Sequence, residues 1–315
     1  MMMSGMEQKA AIFNIQKYNL YDGPGVRTLI FFQGCPLRCK WCANPEGLER
    51  RPRLMFKAAS CISCAACVVV CPQGIHKLNE LGKHVIDWKW SNTCTGCGNC
   101  VSACMQNALS IVGEQKNISE LMDVIMEDKF FYDVSGGGVT LGGGEVLMQP
   151  ESAAALLKAC KQEGIHTAIE TCGFAKREDI LNVAQYVDLF LFDLKHLDNN
   201  RHKELTGVPN EQIIENLGAL LLRQYNVKIR MPLLKGINDS REEIEAVVKM
   251  LQPYKDAPNF KGIDLLPYHK LGVNKYQQLG KTYAIEGDPS LSDTDLDRIE
   301  AWIRQYDMPV SVIRH

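Results

Sequence analysis

The sequence predicts an α/β fold: a partial barrel of six parallel strand–helix units, broken near its start by a small cysteine-rich insert. Three observations lead there. Apolar strands alternate with amphipathic helical stretches through most of the chain. Chemically able polar residues fall just after those strands, and the texture changes over residues 56–112. Strand–helix alternation implies right-handed crossovers and a parallel sheet, whose functional residues gather at the carboxyl ends of the strands.

The strands expected in order are residues 28–32, 139–141, 166–170, 188–193, 227–231 and 263–266. Among the helices, Ile118, Leu121, Met122 and Ile125 recur at the spacing of one helical face. Residues 151–163 are rich in Ala and Leu and meet Gly164, a helix stop. Residues 211–225, 241–251 and 293–305 read as further helices. Six units are too few to close an eightfold barrel, which leaves a partial barrel or an open doubly wound sheet. The polar residues favour the barrel. Cys35 follows the first strand and Glu145 of GGGE the second, while Glu170 and Thr171 end the third. Asp193 and Lys195 end the fourth, Arg230 the fifth, and His269 follows the sixth. Side chains from six strand ends can converge on one ligand at a barrel mouth.

At 315 residues with a net charge of −2 and no basic run, nothing calls for nucleic acid or an anionic membrane. No apolar run approaches a membrane span, and MMMSGMEQKA lacks an apolar signal core, so a cytoplasmic location is expected. Thirteen cysteines in such a chain argue for metal ligation rather than disulfides. All but Cys160 and Cys172 fall in three tight groups.

The first group is Cys35, Cys39 and Cys42 in GCPLRCKWCANPE, spaced C-x3-C-x2-C with Trp41 before the third. Three thiolates can hold three irons of a 4Fe–4S cube and leave the fourth open for chemistry. A zinc knuckle is the alternative, although zinc cysteines usually come as C-x2-C pairs. The other groups are Cys61, Cys64, Cys67 and Cys71, then Cys94, Cys97, Cys100 and Cys104, each spaced C-x2-C-x2-C-x3-C. This duplicated run is that of two-cluster bacterial ferredoxins, in which the fourth cysteine of each run ligates the other cluster. It pairs Cys104 with Cys61, Cys64 and Cys67, and Cys71 with Cys94, Cys97 and Cys100. The apolar IHKL and ALSIV segments read as short strands covering the cubes. The module spans 56–112, and the barrel comprises 1–55 and 113–315.

Other features are weaker alone. SGGGVTLGGGE is not G-x-G-x-x-G opening a helix, so no dinucleotide site is expected. Its second glycine group lets backbone approach a ligand, with Glu145 available to an ammonium group. Asp193 and Lys195 point the same way along a strand, a pattern that by itself describes a structural ion pair. Cys160 in a helix reads as packing, and Cys172 in ETCG as a thiol facing the site.

The cysteine motif with its aromatic residue and the GGE-type motif resembles the radical S-adenosylmethionine superfamily. YDGPGVRT, the two ferredoxin runs, ETCG, FDLKH and LLPYHKLG resemble, within it, the glycyl-radical enzyme activating enzymes. The resemblance implies a partial (β/α)6 barrel, three 4Fe–4S clusters and S-adenosylmethionine as co-substrate. It implies that the open iron of the Cys35, Cys39 and Cys42 cluster chelates the amino and carboxylate groups of S-adenosylmethionine. Gly143, Gly144 and Glu145 would take the methionine ammonium, and Asp193, Leu194 and Lys195 the ribose and carboxylate region. His269 would lie near the adenosyl group, and Trp41 and Ala43 would flank the adenine. Arg230 is a further candidate contact, and Asp22 would lie at the mouth that admits the partner's glycine loop. Some relatives hold a monovalent cation on an aspartate–threonine pair, which here is Glu170–Thr171. The implied partners are a glycyl-radical enzyme, with overall likeness pointing to choline trimethylamine-lyase, and a flavodoxin or ferredoxin donor. Activators of diol dehydratases, isethionate lyase and arylacetate decarboxylases share the cysteine pattern. A radical enzyme of small molecules and a pure electron carrier are the competing classes. Association with a bacterial microcompartment would come through the lyase, since no targeting helix is recognisable.

Overall fold

The computed structural model describes residues 6–89 and 93–314. Residues 1–5 of the stretch weighed as a signal segment lie outside the described residues. The strands in chain order are β1 (Lys9–Asn19), β2 (Arg27–Phe32), β3 (Arg53–Phe56), β4 (His76–Leu78), β5 (His84–Ile86) and β6 (Leu109–Val112). There follow β7 (Glu114–Asn117), β8 (Gly138–Gly143), β9 (His166–Thr171), β10 (Leu189–Asp193), β11 (Val227–Leu233), β12 (Phe260–Pro267) and β13 (Val310–Val312).

One sheet runs β13-β12-β11-β10-β9-β8-β2-β1-β7. From β2 to β13 every neighbouring pair is parallel. Helices at Pro150–Gln162, Arg177–Ala184, Glu211–Leu222 and Arg241–Leu251 occupy the crossovers. The order never reverses along the parallel run, so it lacks the switch point of a doubly wound sheet. Crossovers of one hand, each stepping to the same side, produce that order.

All six expected strands are present, and the structure adds three more to the sheet. β13 extends the parallel run, while β1 and β7 cap the other edge antiparallel. The start of β1 is buried on both faces at Ala10, Ala11 and Ile12, so no clean two-residue alternation announces it. The expected helix at Ile118 forms as Ile118–Met126 and opens with a capping box, in which Glu120 Oε2 accepts from the Asn117 N–H at 2.7 Å. Its Ile118, Leu121, Met122 and Ile125 join Phe32, Val139, Leu141 and Ile169 in the main core. Each such side chain contributes roughly 1.5–3 kcal/mol by leaving water.

The cysteine-rich segment builds a separate small core from Leu54, Cys67, Ile75, Ile86, Cys100 and Leu109. IHKL and ALSIV do supply strands, β4 and β6, but in different ladders: β4 pairs with β5, and β6 pairs with β3. The duplication extends to the backbone. Ser63 and Ala65 take positive φ at 58° and 62°, and the corresponding Gly96 and Gly98 at 70° and 79°. No helix among the described residues is long and apolar enough to cross a membrane.

Candidate active site

Cys35, Cys39 and Cys42 lie in the loop that leaves β2, and backbone hydrogen bonds fix that loop from three sides. Gly34 donates to the Gly47 carbonyl at 2.7 Å, Cys35 to Leu48 at 3.1 Å, and Arg38 to Thr206 at 2.6 Å. The glycine turn after β8 locks onto the same loop, because Glu145 N–H donates to the Gly34 carbonyl at 2.7 Å. A Cβ at Gly144 would lie 2.4 Å from the Gly34 oxygen and 3.0 Å from that of Gly47. Only glycine permits this approach. Gly144→Ala is therefore expected to cost about 1–3 kcal/mol through overpacking. It should also lower iron retention, read as thermal midpoint and iron per chain in the reconstituted protein.

Burial raises all three thiols, Cys42 to about 12, so each stays protonated until a metal supplies positive charge. The C-x3-C-x2-C spacing and the all-sulfur donor set fit an iron–sulfur cube better than one ion.

A cavity of about 580 Å³ opens beside these cysteines, within the range of small-molecule sites. Cys35, Cys39, Trp41, Cys42, Ala43, Gly143, Gly144, Thr171, Asp193, Lys195, Arg230 and His269 all line it. Those expected site residues come together from the ends of β2 and β8 to β12. Asp193 Oδ2 accepts from Lys195 Nζ at 2.7 Å. Burial would lower the Lys195 ammonium, but the neighbouring Asp193 charge and its hydrogen bond outweigh it and hold the lysine protonated. Cys172 also lines the cavity, whereas Cys160 is packed against Met122 at 3.7 Å.

Two expected contacts are not among the residues that line the cavity. The Glu145 side chain is buried, 1% exposed. Its Oε1 accepts from Leu147 N–H at 3.0 Å and from Thr171 Oγ1 at 2.7 Å, and its Oε2 from Cys172 N–H at 2.8 Å. Turn amides without intrahelical partners hold this carboxylate, so Glu145 braces the turn. Leu194 is likewise buried and absent from this cavity's lining; with Lys195 it lines a second pocket on the far side of β10's end.

Sequence reasoning missed the bridge that ties Asp22 into the site. The buried Arg230 guanidinium donates to Asp22 Oδ1 at 2.7 Å and to the Tyr21 carbonyl at 2.5 Å, and it also meets Glu170. Burial alone would raise Asp22, yet Arg230 holds it below its usual range. Glu170 is raised well above its usual range by burial and by the Asp22 charge. Lys275 was missed as well. From a helix far along the chain, its Nζ donates to Asn44 at 3.0 Å and to Glu46 at 2.6 Å, just past Cys42. No local pattern signals either contact.

In the cysteine-rich module, burial and then the charges of Cys61, Cys104 and Cys64 raise Cys67. Cys100 is pushed to about 11 by burial and then by Cys94, Cys71 and Cys97. Cys104 is thus a neighbour of Cys67, and Cys71 of Cys100.

Models of known families match along the chain. The Radical SAM superfamily matches residues 91–251, a 4Fe-4S dicluster domain residues 60–109, and a 4Fe-4S single cluster domain residues 21–68. Choline trimethylamine-lyase activating enzyme of Oleidesulfovibrio alaskensis is 62% identical over 98% of this chain and 100% of its own. Isethionate sulfite-lyase activating enzyme of Nitratidesulfovibrio vulgaris is 38% identical over 93% of this chain and 94% of its own. 4-Hydroxyphenylacetate decarboxylase activating enzyme of Clostridioides difficile is 38% identical over 95% of this chain and 94% of its own. The crystal structure of QueE from Escherichia coli shares the fold at 14% identity, with a TM-score of 0.50 over 98% of this chain and 95% of that one. With the cysteine loop, the cavity and the parallel sheet, these likenesses identify the chain as a member of the radical S-adenosylmethionine superfamily and, within it, of the glycyl-radical enzyme activating enzymes.

Proposed function

We propose that this protein activates a choline trimethylamine-lyase by abstracting hydrogen from a glycine of that partner. The observation that carries the reading is the cavity at the strand ends, where three cysteines, Gly143–Gly144 and the Asp193–Lys195 pair converge. Cys35, Cys39 and Cys42 would hold the cluster that binds S-adenosylmethionine. When bound, that cluster supplies one electron to the sulfonium, giving methionine and a 5′-deoxyadenosyl radical that takes hydrogen from the partner's glycine Cα. Gly143 and Gly144 offer backbone to the methionine ammonium, with Glu145 positioning them. Asp193 and Lys195 face the ribose and carboxylate, Leu194 contributing backbone only, and Trp41, Ala43 and His269 surround the adenosyl group. Holding the cofactor beside the cluster replaces collision with orientation. A cation at Glu170–Thr171 would have to displace Arg230 from Glu170 and Glu145 from Thr171, so in our reading the guanidinium fills that role.

The parallel run is, in our reading, a partial (β/α)6 barrel. Gln16 of β1 and Ile313 after β13, near opposite ends of the strand order, both line the one cavity, which a curled sheet explains. The barrel comprises 1–55 and 113–315, and residues 56–112 form a two-cluster module. Cys61, Cys64, Cys67 and Cys104 hold one of its clusters, and Cys94, Cys97, Cys100 and Cys71 the other. With the first cluster this makes three, fed by a flavodoxin or ferredoxin. The enzyme would work in the cytoplasm, reaching any microcompartment through its lyase.

The partner would dock on the rim beside the cavity. Leu20, Phe130 and Val134 are 63%, 72% and 73% exposed there, on the loop that carries Asp22 and on the helix packed against it. Tyr18 meets Phe131 edge-on at 5.3 Å to join the two. Val134→Asp with Phe130→Ser is expected to weaken binding of the lyase at least tenfold, about 1.4 kcal/mol. S-adenosylmethionine affinity should stay unchanged; equal lyase affinity would move the interface elsewhere.

The test of function is an anaerobic incubation of reduced, reconstituted protein with S-adenosylmethionine and choline trimethylamine-lyase. A glycyl radical in the electron paramagnetic resonance spectrum, matched by 5′-deoxyadenosine, is the expected result. 5′-Deoxyadenosine without a protein radical would point to another glycyl-radical enzyme. Neither signal from a protein with intact clusters would favour an electron carrier.

A further inference from the structure

Two histidines of the cysteine-rich module have no role in the chemistry above, yet both are buried there. His76 and His84 are 2% and 6% exposed. His76 Nδ1 and His84 Nε2 are 3.0 Å apart, and His84 Nδ1 lies 3.6 Å from Cys61 Sγ. Phe56 holds the His84 ring edge-on at 4.7 Å. His76 also lines the pocket formed by Cys71, Cys94, Cys97 and Cys100, and its Nε2 is buried without a hydrogen-bond partner. The rings thus reach from Cys61 of one cysteine set to the pocket of the other.

Proton placement in such a chain is constrained. A cluster thiolate can only accept, so His84 must present Nδ1–H to Cys61. Its Nε2 then carries the lone pair, and His76 must donate Nδ1–H to it. That leaves the lone pair of His76 on Nε2, the one ring nitrogen of the pair without a partner. The two rings, each sharing one proton along the chain, therefore have a single polarity, directed at Cys61.

The second cysteine run has no equivalent. The backbone donor at Ser63, whose N–H lies 3.4 Å from Cys61 Sγ, has a counterpart position at Gly96. No histidine occurs between residue 84 and residue 166, however, so nothing repeats the imidazole. We propose that His76 and His84 form an imidazole bridge that donates a hydrogen bond to Cys61. The bridge would raise the reduction potential of the Cys61, Cys64, Cys67 and Cys104 cluster above that of its neighbour. Hydrogen bonds to cluster sulfur offset the charge gained on reduction, which is why they tune potential. His84 donates directly, and His76 is a positioning residue that fixes its tautomer. The inference rests on the two-cluster reading above and gives the module a direction for electrons.

The test uses the reconstituted holoenzyme, first checked for about twelve irons per chain, the number three cubes require. A lower count would defeat the two-cluster reading rather than this one. In redox titrations followed by electron paramagnetic resonance, His84→Phe should lower the midpoint of one module cluster and leave the other in place. A tenfold fall in its reduction equilibrium is expected, which is 59 mV for one electron. His84→Asn, whose amide nitrogen falls near the Nδ1 position, should restore most of it. Pulsed resonance of wild-type protein carrying ¹⁵N-histidine should show a nitrogen weakly coupled to the reduced cluster. An unchanged midpoint, equal shifts of both clusters, or no histidine coupling would overturn the proposal. If His84→Phe fails to fold, the wild-type coupling decides alone.

Discussion

Cys35→Ala is expected to lower the iron content from about twelve to about eight per chain and to abolish formation of 5′-deoxyadenosine. Cys39 and Cys42 alone leave two irons of the cube exposed to water in a cavity that must admit a cofactor. The module cysteines lie in their own apolar core, so their clusters should load normally. Visible absorption would therefore fall by about a third, and the remaining signals would be those of ferredoxin-type clusters. One neighbour could interfere. Cys172 is buried beside Cys35 and is raised by burial and by the charges of Glu145 and Cys35. It could stand in as a third ligand, so Cys35→Ala with Cys172→Ala is the stricter variant. Full S-adenosylmethionine cleavage by that double variant would remove the proposed site.

Arg230→Met should be the most damaging change that touches no cysteine. The arginine is 4% exposed and bridges Asp22, at 16%, and Glu170, at 24%. Removing one member of a buried ionic group strands the others, and such losses run to roughly 3–5 kcal/mol. Protonation limits the loss, which gives it a pH signature. The lowered Asp22 contributes stability present above pH 3.8 and lost as pH falls through its folded value. The raised Glu170 does the opposite: its contribution is present below pH 4.5 and fades as pH rises through its folded value. Without the guanidinium both carboxyls favour the proton. The deficit of Arg230→Met should therefore shrink between pH 7.5 and pH 5.5, read as denaturant midpoints of anaerobic holoenzyme. A deficit independent of pH would show that packing, not charge, is what Arg230 supplies. The same variant releases the Tyr21 carbonyl, and with it the YDGPG loop at the mouth. Glycyl-radical yield should fall further than 5′-deoxyadenosine yield.

What the sequence by itself determined is whatever is encoded at short range. Cys35, Cys39 and Cys42 sit within one loop, and each module run within a dozen residues, so spacing alone states their chemistry. Strand–helix alternation located the parallel strands because each unit carries its own period. The tertiary structure decided what depends on residues far apart meeting. The reach of Arg230 across to Asp22 and the meeting of Lys275 with Glu46 are of this kind. The GGGE motif marks the turn, but only the fold brings Leu147, Thr171 and Cys172 as donors that draw the Glu145 carboxylate inward. A motif fixes which groups are present, whereas competition among buried donors and charges fixes which way they face. The His76–His84 pair carries no motif at all; the β4–β5 hairpin creates it by bringing two buried rings together and setting His84 against Cys61.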